Sequence, residues 1–235
     1  MTRIEILTIF PELFDSFISC SLIGKACEKN LLSINCLNIR DFASAPHYHV
    51  DDIPYGGGAG MLFKPEPLTA AIEDAKKRLP KAKVLLMTPA GKLFKQSDAK
   101  RLATEEDFIF ICGRYEGIDE RVVELFVDES FSIGDYVLMG GEVPTMAIIE
   151  AVTRLQNNII GNSESLVDES FTTTSNEQVL LEAPQYTRPP EFRGLKVPET
   201  LLCGDPKKIA VWRENEAIKR TQKYRPELLE KKNEH

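Results

Sequence analysis

Three short apolar runs, each ending on a loop that carries glycine or proline, constrain this chain more than anything else in it. Residues 108–112 (FIFIC) are too few for a helix and break at Gly113 into a loop holding Arg114, Tyr115, Glu116 and Gly117. Residues 131–139 (FSIGDYVLM) carry Gly134 within the run and end on Gly140-Gly141-Glu142, and residues 84–88 (VLLMT) end on Pro89-Ala90-Gly91. Continuous apolar runs of this length suit strands buried on both faces of a parallel sheet. Strands whose carboxyl ends open into such loops are how an open α/β sheet holds a ligand. Glycine matters there because, with no Cβ in the way, backbone N–H and C=O groups can come close to a bound molecule.

The rest of the pattern extends that sheet. Residues 3–9 and 32–39 read as strands around a helical stretch, residues 11–30, that puts Leu13, Phe14, Phe17 and Ile18 on one face. A long loop follows, residues 41–67, containing PYGGGAGM at 54–61, too rich in glycine for helix or strand and long for an unused connection. Helices are expected at residues 66–79, 95–104, 118–126 and 142–160. Strands alternating with helices make an α/β fold with a mostly parallel sheet. Residues 157–177 turn polar, with isolated Leu166, Val167 and Phe171, and read as a linker. After it, residues 184–198 are rich in proline, and 205–232 read as helical, with Ile209, Trp212, Ile218, Leu228 and Leu229 as core candidates.

Composition narrows the function classes. At 235 residues, 43% hydrophobic and 28% charged, the chain can bury one large core or two modest ones. No apolar run approaches the roughly 18 to 20 residues that cross a bilayer, and MTRIEILTIFPELF lacks a basic n-region and a small-residue cleavage site, so a cytoplasmic protein is expected. Cys20, Cys27, Cys36, Cys112 and Cys203 are irregularly spaced with no C-x-x-C, which fits reduced structural thiols. His47 and His49 lack a cysteine cluster, so no metal site is expected.

The net charge of −7 is unevenly spread: residues 1–185 carry −11 and residues 186–235 carry +4. Arg188, Arg193, Lys196, Lys207, Lys208, Arg213, Lys219, Arg220, Lys223 and Arg225 form either a phosphate-contacting surface or a solvated helical face. The glycines of 54–61 do not fit G-x-G-x-x-G, and no phosphate loop is present, which sets an NAD-dependent oxidoreductase aside. A neutral or cationic nucleoside-like ligand held by backbone groups, with Glu116 near its positive charge, competes with the reading that the glycines only make tight turns.

Several motifs together carry a resemblance. Phe10-Pro11, PYGGGAGM at 54–61, CGRYEGIDER at 112–121, SIGDYVL at 132–138, Gly140-Gly141-Glu142 and Tyr186-Thr187-Arg188-Pro189, in this order and spacing, closely resemble the bacterial tRNA (guanine-37-N1)-methyltransferases, essentially from end to end. The resemblance implies a SPOUT-type fold. Residues 1–160 would form a deep trefoil-knot α/β domain that binds S-adenosylmethionine, 161–177 a flexible linker, and 178–235 a small helical domain that binds tRNA. The methyl donor would touch Leu86, Met87 and Pro89, then Gly113, Tyr115 and Glu116, then Ser132, Ile133, Gly134, Asp135, Tyr136, Val137 and Leu138, with Gly140 and Gly141. A homodimer with active sites built from both subunits, a tRNA with guanine at position 37, and magnesium as a further requirement are implied too, although no carboxylate cage is visible.

The implied reaction needs a base to take the guanine N1 proton and a cation to steady charge moving toward O6. Arg154 matches the family's arginine. Where many relatives read Asp-Ser-Phe, this chain has Glu169-Ser170-Phe171 preceded by Asp168. Glutamate's ordinary pKa of about 4.3 lies close to aspartate's 3.9; Glu169 is the preferred base because the Ser-Phe pair fixes the register, and Asp168 is the alternative. Gly204-Asp205-Pro206-Lys207 departs from the usual Gly-Asn-His-Ala, and Gln185 from a common histidine. The rival readings are a knotted RNA methyltransferase with another target and a non-catalytic RNA-binding protein.

Overall fold

A computed structural model describes residues 1–160, 169–173 and 178–229 of the chain. Contacts divide the chain into two units, Met1–Gly161 and Asn162–His235.

In the first unit, strands β1 (Thr2–Thr8), β2 (Leu32–Asn38), β3 (Asp51–Asp52), β4 (Leu62–Phe63), β5 (Lys83–Leu93), β6 (Asp107–Cys112) and β7 (Glu129–Ser132) alternate with helices α1 (Asp15–Ser19), α2 (Ser21–Glu28), α3 (Pro65–Arg78), α4 (Gln96–Leu102), α5 (Glu120–Phe126) and α6 (Glu142–Thr153). Five strands form one sheet in the order β2-β1-β6-β5-β7, and every neighbouring pair is parallel. β3 and β4 make a separate antiparallel pair inside the long loop.

The FIFIC run explains why β6 sits at the centre. Successive side chains of a strand point to opposite faces, and all six residues of β6 are buried. Phe108, Phe110 and Cys112 join Ile4, Ile6, Leu85 and Phe131 against Phe14, Ile23, Leu102, Ile148 and Ile149 on one face. Ile109 and Ile111 join Leu7, Val84 and Leu86 against Leu68, Ile72, Ile118 and Val122 on the other. Each such side chain contributes about 1.5–3 kcal/mol of burial, so both faces must be covered by helices. α3 shows how local signals agree with this packing: Pro65 opens it, Glu66 lies in its first turn, and Lys76, Lys77 and Arg78 lie in its last, matching the helix dipole.

In the first unit, four expectations need correction. The 11–30 stretch is a 3-10 turn, Pro11–Phe14, followed by α1 and α2, with a break where Ser21 takes φ 59°; Phe14 is buried while Leu13 is exposed. β5 does not end at Thr88. It bulges between Met87 and Lys92 and resumes alongside β7, a close approach open to Gly91 because a Cβ there would lie 2.5 Å from the Phe131 nitrogen. β7 keeps only Phe131 and Ser132 of the 131–139 run; Val137 and Met139 are 84% and 89% exposed, so apolar character there does not mean core. Helix α6 stops at Thr153 instead of residue 160.

In the second unit, β8 (Thr172–Thr173) pairs antiparallel with β9 (Val179–Leu180), so part of the stretch read as a linker carries strand. Strands β10 (Glu191–Phe192) and β11 (Leu195–Lys196) form a hairpin through Arg193 and Gly194, both at positive φ, as a type I′ turn requires. Helices α7 (Glu199–Leu202) and α8 (Pro206–Tyr224) follow. Asp205 caps α8, its carboxylate accepting from the Lys207 and Lys208 amides. Ahead of Pro226, Arg225 adopts φ −146° and α8 ends, short of residue 232. Ile209, Trp212 and Ile218 are half-buried. Among the described residues, no helix is long and apolar enough to cross a membrane.

Candidate functional site

The carboxyl ends of β5, β6 and β7 meet at a cavity of about 330 Å³. Its walls are Leu86–Pro89 from the β5 bulge, 113–118 after β6, and 131–134 with 136–141 after β7. Helix side chains complete it, Glu120 and Val123 from α5 and Pro144 from α6. This is the edge at which an open parallel sheet binds ligands. A larger cavity, about 670 Å³, lies at the other end of the sheet between Met1, Leu31, Glu105 and Asn157. None of the three loops reaches it, so volume is a poorer guide here than the convergence of backbone groups.

Backbone bonds hold the loops in place. After β6 the chain turns with the Gly117 amide donating to the Arg114 carbonyl at 3.2 Å, and Tyr115 sits at φ 61°. The Glu116 amide donates to Met61 O at 3.0 Å, and Phe63 N donates to Gly117 O at 3.0 Å. The Tyr115 ring meets Phe63 edge-on at 5.3 Å. The PYGGGAGM segment is thereby stitched onto the cleft through its last residue. After β7, Ser132 Oγ both donates to Gly134 O and accepts from Gly134 N. The Gly141 amide donates to Gly113 O at 2.8 Å, joining the second and third loops directly. A Cβ on Gly141 would lie 2.8 Å from Cys112 Cα, so no larger residue allows that contact.

The electrostatics favour a ligand carrying positive charge. Glu116 and Glu120 line the cavity, while the one lining arginine, Arg114, is neutralised by Glu142 at 2.9 Å. Burial pushes the Cys112 thiol far up, with the Glu142 charge adding to it and a hydrogen bond to Thr145 opposing, so it stays protonated and is no nucleophile. Burial likewise pushes Cys36 up to about 11. Among the described residues, no group of three or more His, Cys, Asp and Glu could hold a metal ion.

Fourteen of the fifteen residues expected around the donor line this one cavity; Asp135 does not. Arg114, Gly117, Ile118, Val123 and Pro144, together with Thr88, Glu120, Phe131 and Met139, also line it beyond the expected donor contacts. The first three lie inside the CGRYEGIDER motif; Val123 and Pro144 arrive from helices and left no sequence signal. Arg154 follows the last residue of α6, half-buried, its amide donating to Glu150 O at 3.1 Å. In the second unit the Glu169 carbonyl accepts from the Thr172 amide and hydroxyl, and Ser170 Oγ accepts from the Glu182 amide. Asp168 lies outside the described residues.

A family model described as tRNA (Guanine-1)-methyltransferase TrmD matches residues 2–231. The chain belongs to that family. It is 51% identical over 227 residues to a protein of Geotalea uraniireducens, covering 97% of this chain and 90% of the relative. A Brevibacillus brevis protein is 50% identical over 229 residues, 97% of this chain and 92% of its own. A Lacticaseibacillus paracasei protein is 50% identical over 228 residues, 97% and 87%. Each is named tRNA (guanine-N(1)-)-methyltransferase. Family coverage from residue 2 to residue 231 spans both units.

Proposed function

We propose that this chain transfers a methyl group from S-adenosylmethionine to N1 of guanine 37 in tRNA. The observation carrying the proposal is the meeting of three glycine-bearing loops on one acid-lined cleft, in a chain that matches a tRNA (guanine-N1)-methyltransferase model from residue 2 to 231. When bound, the donor supplies an electrophilic methyl on a cationic sulfur. Gly113, Gly140 and Gly141 offer backbone groups to its adenosine part, and the Glu116 carboxylate suits its charge. The Glu169 carboxylate accepts the N1 proton, with Asp168 as the alternative, and the Arg154 guanidinium stabilises negative charge at O6.

The deep trefoil knot belongs to this reading through membership of the family. The domain assignment is 1–160 for donor binding, supported by the contact boundary at Gly161, and 178–235 for tRNA, supported by the exposed Lys207, Lys208, Arg213, Lys219 and Lys223 on α8; within the 161–177 linker assigned between them, Thr172–Thr173 pairs with β9 and goes with the second unit. The homodimer is supported by α6. Its twelve residues separate Arg154 from the Gly141 end by roughly 18 Å, more than an arginine side chain spans, which supports a role for Arg154 in a partner's cleft. Exposed Val137 and Met139 on the cleft wall, with exposed Val143 close by in sequence, fit the same contact. A cytoplasmic location follows from the substrate. No catalytic step here runs through a metal; magnesium, where required, would be held by one or two carboxylates together with groups of the substrates.

The test incubates the protein with S-adenosylmethionine and tRNA transcripts differing only by guanine or adenine at position 37, then maps nucleosides by mass spectrometry. 1-Methylguanine is expected in the guanine transcript alone; methylation at another position would overturn the assignment. Glu169→Gln should lower kcat about 10²–10⁴-fold while Asp168→Asn leaves it near wild type. The reverse ranking would move the base to Asp168.

A further inference from the structure

The Phe10-Pro11 motif and Glu142 have no part in the chemistry above, yet they converge behind the cleft. Glu142 opens α6 and is 1% exposed. Its Oε1 accepts from Thr8 Oγ1 at 2.9 Å and from Arg114 Nε at 3.2 Å, and its Oε2 accepts from Arg114 Nε at 2.9 Å. Thr8, fully buried at the end of β1, accepts in turn from the Phe10 amide at 3.0 Å. The Arg114 guanidinium lies over the Phe10 ring, 4.7 Å from its centroid. Three segments distant in sequence, 8–10, 113–114 and 140–142, close on one carboxylate.

A buried ion pair is a costly way to stabilise a fold, since apolar residues of similar volume often do as well or better. What the pair supplies here is geometry. Arg114 lies between Gly113, whose carbonyl accepts from Gly141, and Tyr115, held at positive φ. The N-terminal end of α6 favours the carboxylate's charge, and Thr8 leaves it one orientation.

We propose that Glu142, oriented by Thr8, is a positioning residue for methyl-donor binding: through Arg114 it fixes the 113–116 loop against the Gly140-Gly141 loop, and so sets the cleft's width before the donor arrives. The inference rests on the cleft being the donor site. It assigns none of these groups to the methyl-transfer chemistry.

The experiment measures S-adenosylmethionine affinity by calorimetry without tRNA, then KM for tRNA, kcat and thermal unfolding, for the full chain and for Glu142→Gln, Thr8→Val, Thr8→Ser and the core control Ile148→Val. Loss of a charge-assisted bond in Glu142→Gln should weaken donor binding roughly tenfold or more, with KM for tRNA and kcat at saturating donor within about twofold. Thr8→Val should give a smaller loss in the same direction, and Thr8→Ser, which keeps the hydroxyl, should restore affinity. Ile148→Val lowers the melting temperature from the same helix and should leave donor affinity unchanged. Unchanged affinity in both Glu142→Gln and Thr8→Val overturns the positioning role while sparing the cleft assignment. Ile148→Val weakening the donor as much as Thr8→Val also overturns the role, reducing it to general stability. Absence of donor binding by the wild-type chain overturns the cleft assignment and this inference together.

Discussion

The first unit hides Phe14, Phe63, Phe108, Phe110 and Phe131 almost completely under two helical layers, whereas in the second the buried side chains among the described residues are Leu180, Ala183, Ala217 and Thr221. On the proposed assignment, the donor in the first unit and tRNA in the second, the contrast follows from what each must hold. A cleft built from backbone groups works only if the loops keep their spacing, and spacing is enforced by a close-packed interior that resists small displacements. The second unit leaves Phe192, Leu195, Val211 and Tyr224 in solvent beside its lysines and arginines. A surface that grips a polyanion needs charge and reach more than it needs depth. The first unit is therefore expected to tolerate little change near the cleft, and the second to lose substrate affinity without affecting the donor.

The largest effect expected is that of Gly141→Ala. The new methyl would meet Cys112 Cα at 2.8 Å and Gly113 N at 3.0 Å, both backbone atoms that cannot swing aside. Forcing the loops apart should weaken S-adenosylmethionine binding on the order of 100-fold, the cost of about an ångström of misplacement, and overpacking should destabilise the unit by about 1–3 kcal/mol. Calorimetric titration and melting measure both. A wild-type donor affinity would show that the loops slide freely, and the comparison above would fail.

Thr221→Val tests the other side. Thr221 Oγ1 donates to Ala217 O at 2.7 Å and accepts from the Leu181 amide at 2.9 Å, tying the segment before the proline-rich stretch to α8. Valine keeps the shape but leaves that amide without its acceptor, at about 1–3 kcal/mol. Weaker tRNA binding with unaltered donor affinity is expected, read by filter binding and calorimetry; an equal loss of donor affinity would mean that the two units do not divide the work.

How much of this was legible in the sequence depends on the kind of signal. FIFIC revealed β6 because a strand buried on both faces leaves no polar positions. The FSIGDYVLM run misled for the same reason: Tyr136 to Met139 are apolar as cleft wall and exposed surface, and hydropathy alone does not separate those from core. The break at Ser21 was hidden because a single left-handed residue leaves no periodic trace. Within the cleft, glycines announced themselves through local motifs, while the donor, the base and the knot rest on the motif resemblance and stand as proposals. Thr8 and Glu142 were missed as partners because they stand 134 residues apart, and only the sheet order, which brings β1 beside β6, puts them together.

The smallest predicted effect concerns a surface pair that bears on the first unit's reserve of stability. Arg101 donates two parallel hydrogen bonds to Glu129, at 2.8 and 2.6 Å, tying α4 to β7. That hydrogen bonding, helped by the charges of Arg101 and Lys83 and opposed by burial, holds the Glu129 carboxyl below its ordinary value of 4.5. A carboxyl depressed on folding contributes stability that is fully present above its unfolded pKa and is lost as pH falls through its folded one. Arg101→Gln should therefore cost about 0.2–1 kcal/mol at neutral pH, the usual worth of an exposed pair, and the difference from wild type should close as pH drops below about 4.5. Melting both proteins from pH 7 to pH 3 measures this, and a gap that stays constant through acid would show that Arg101 acts by packing and not by charge.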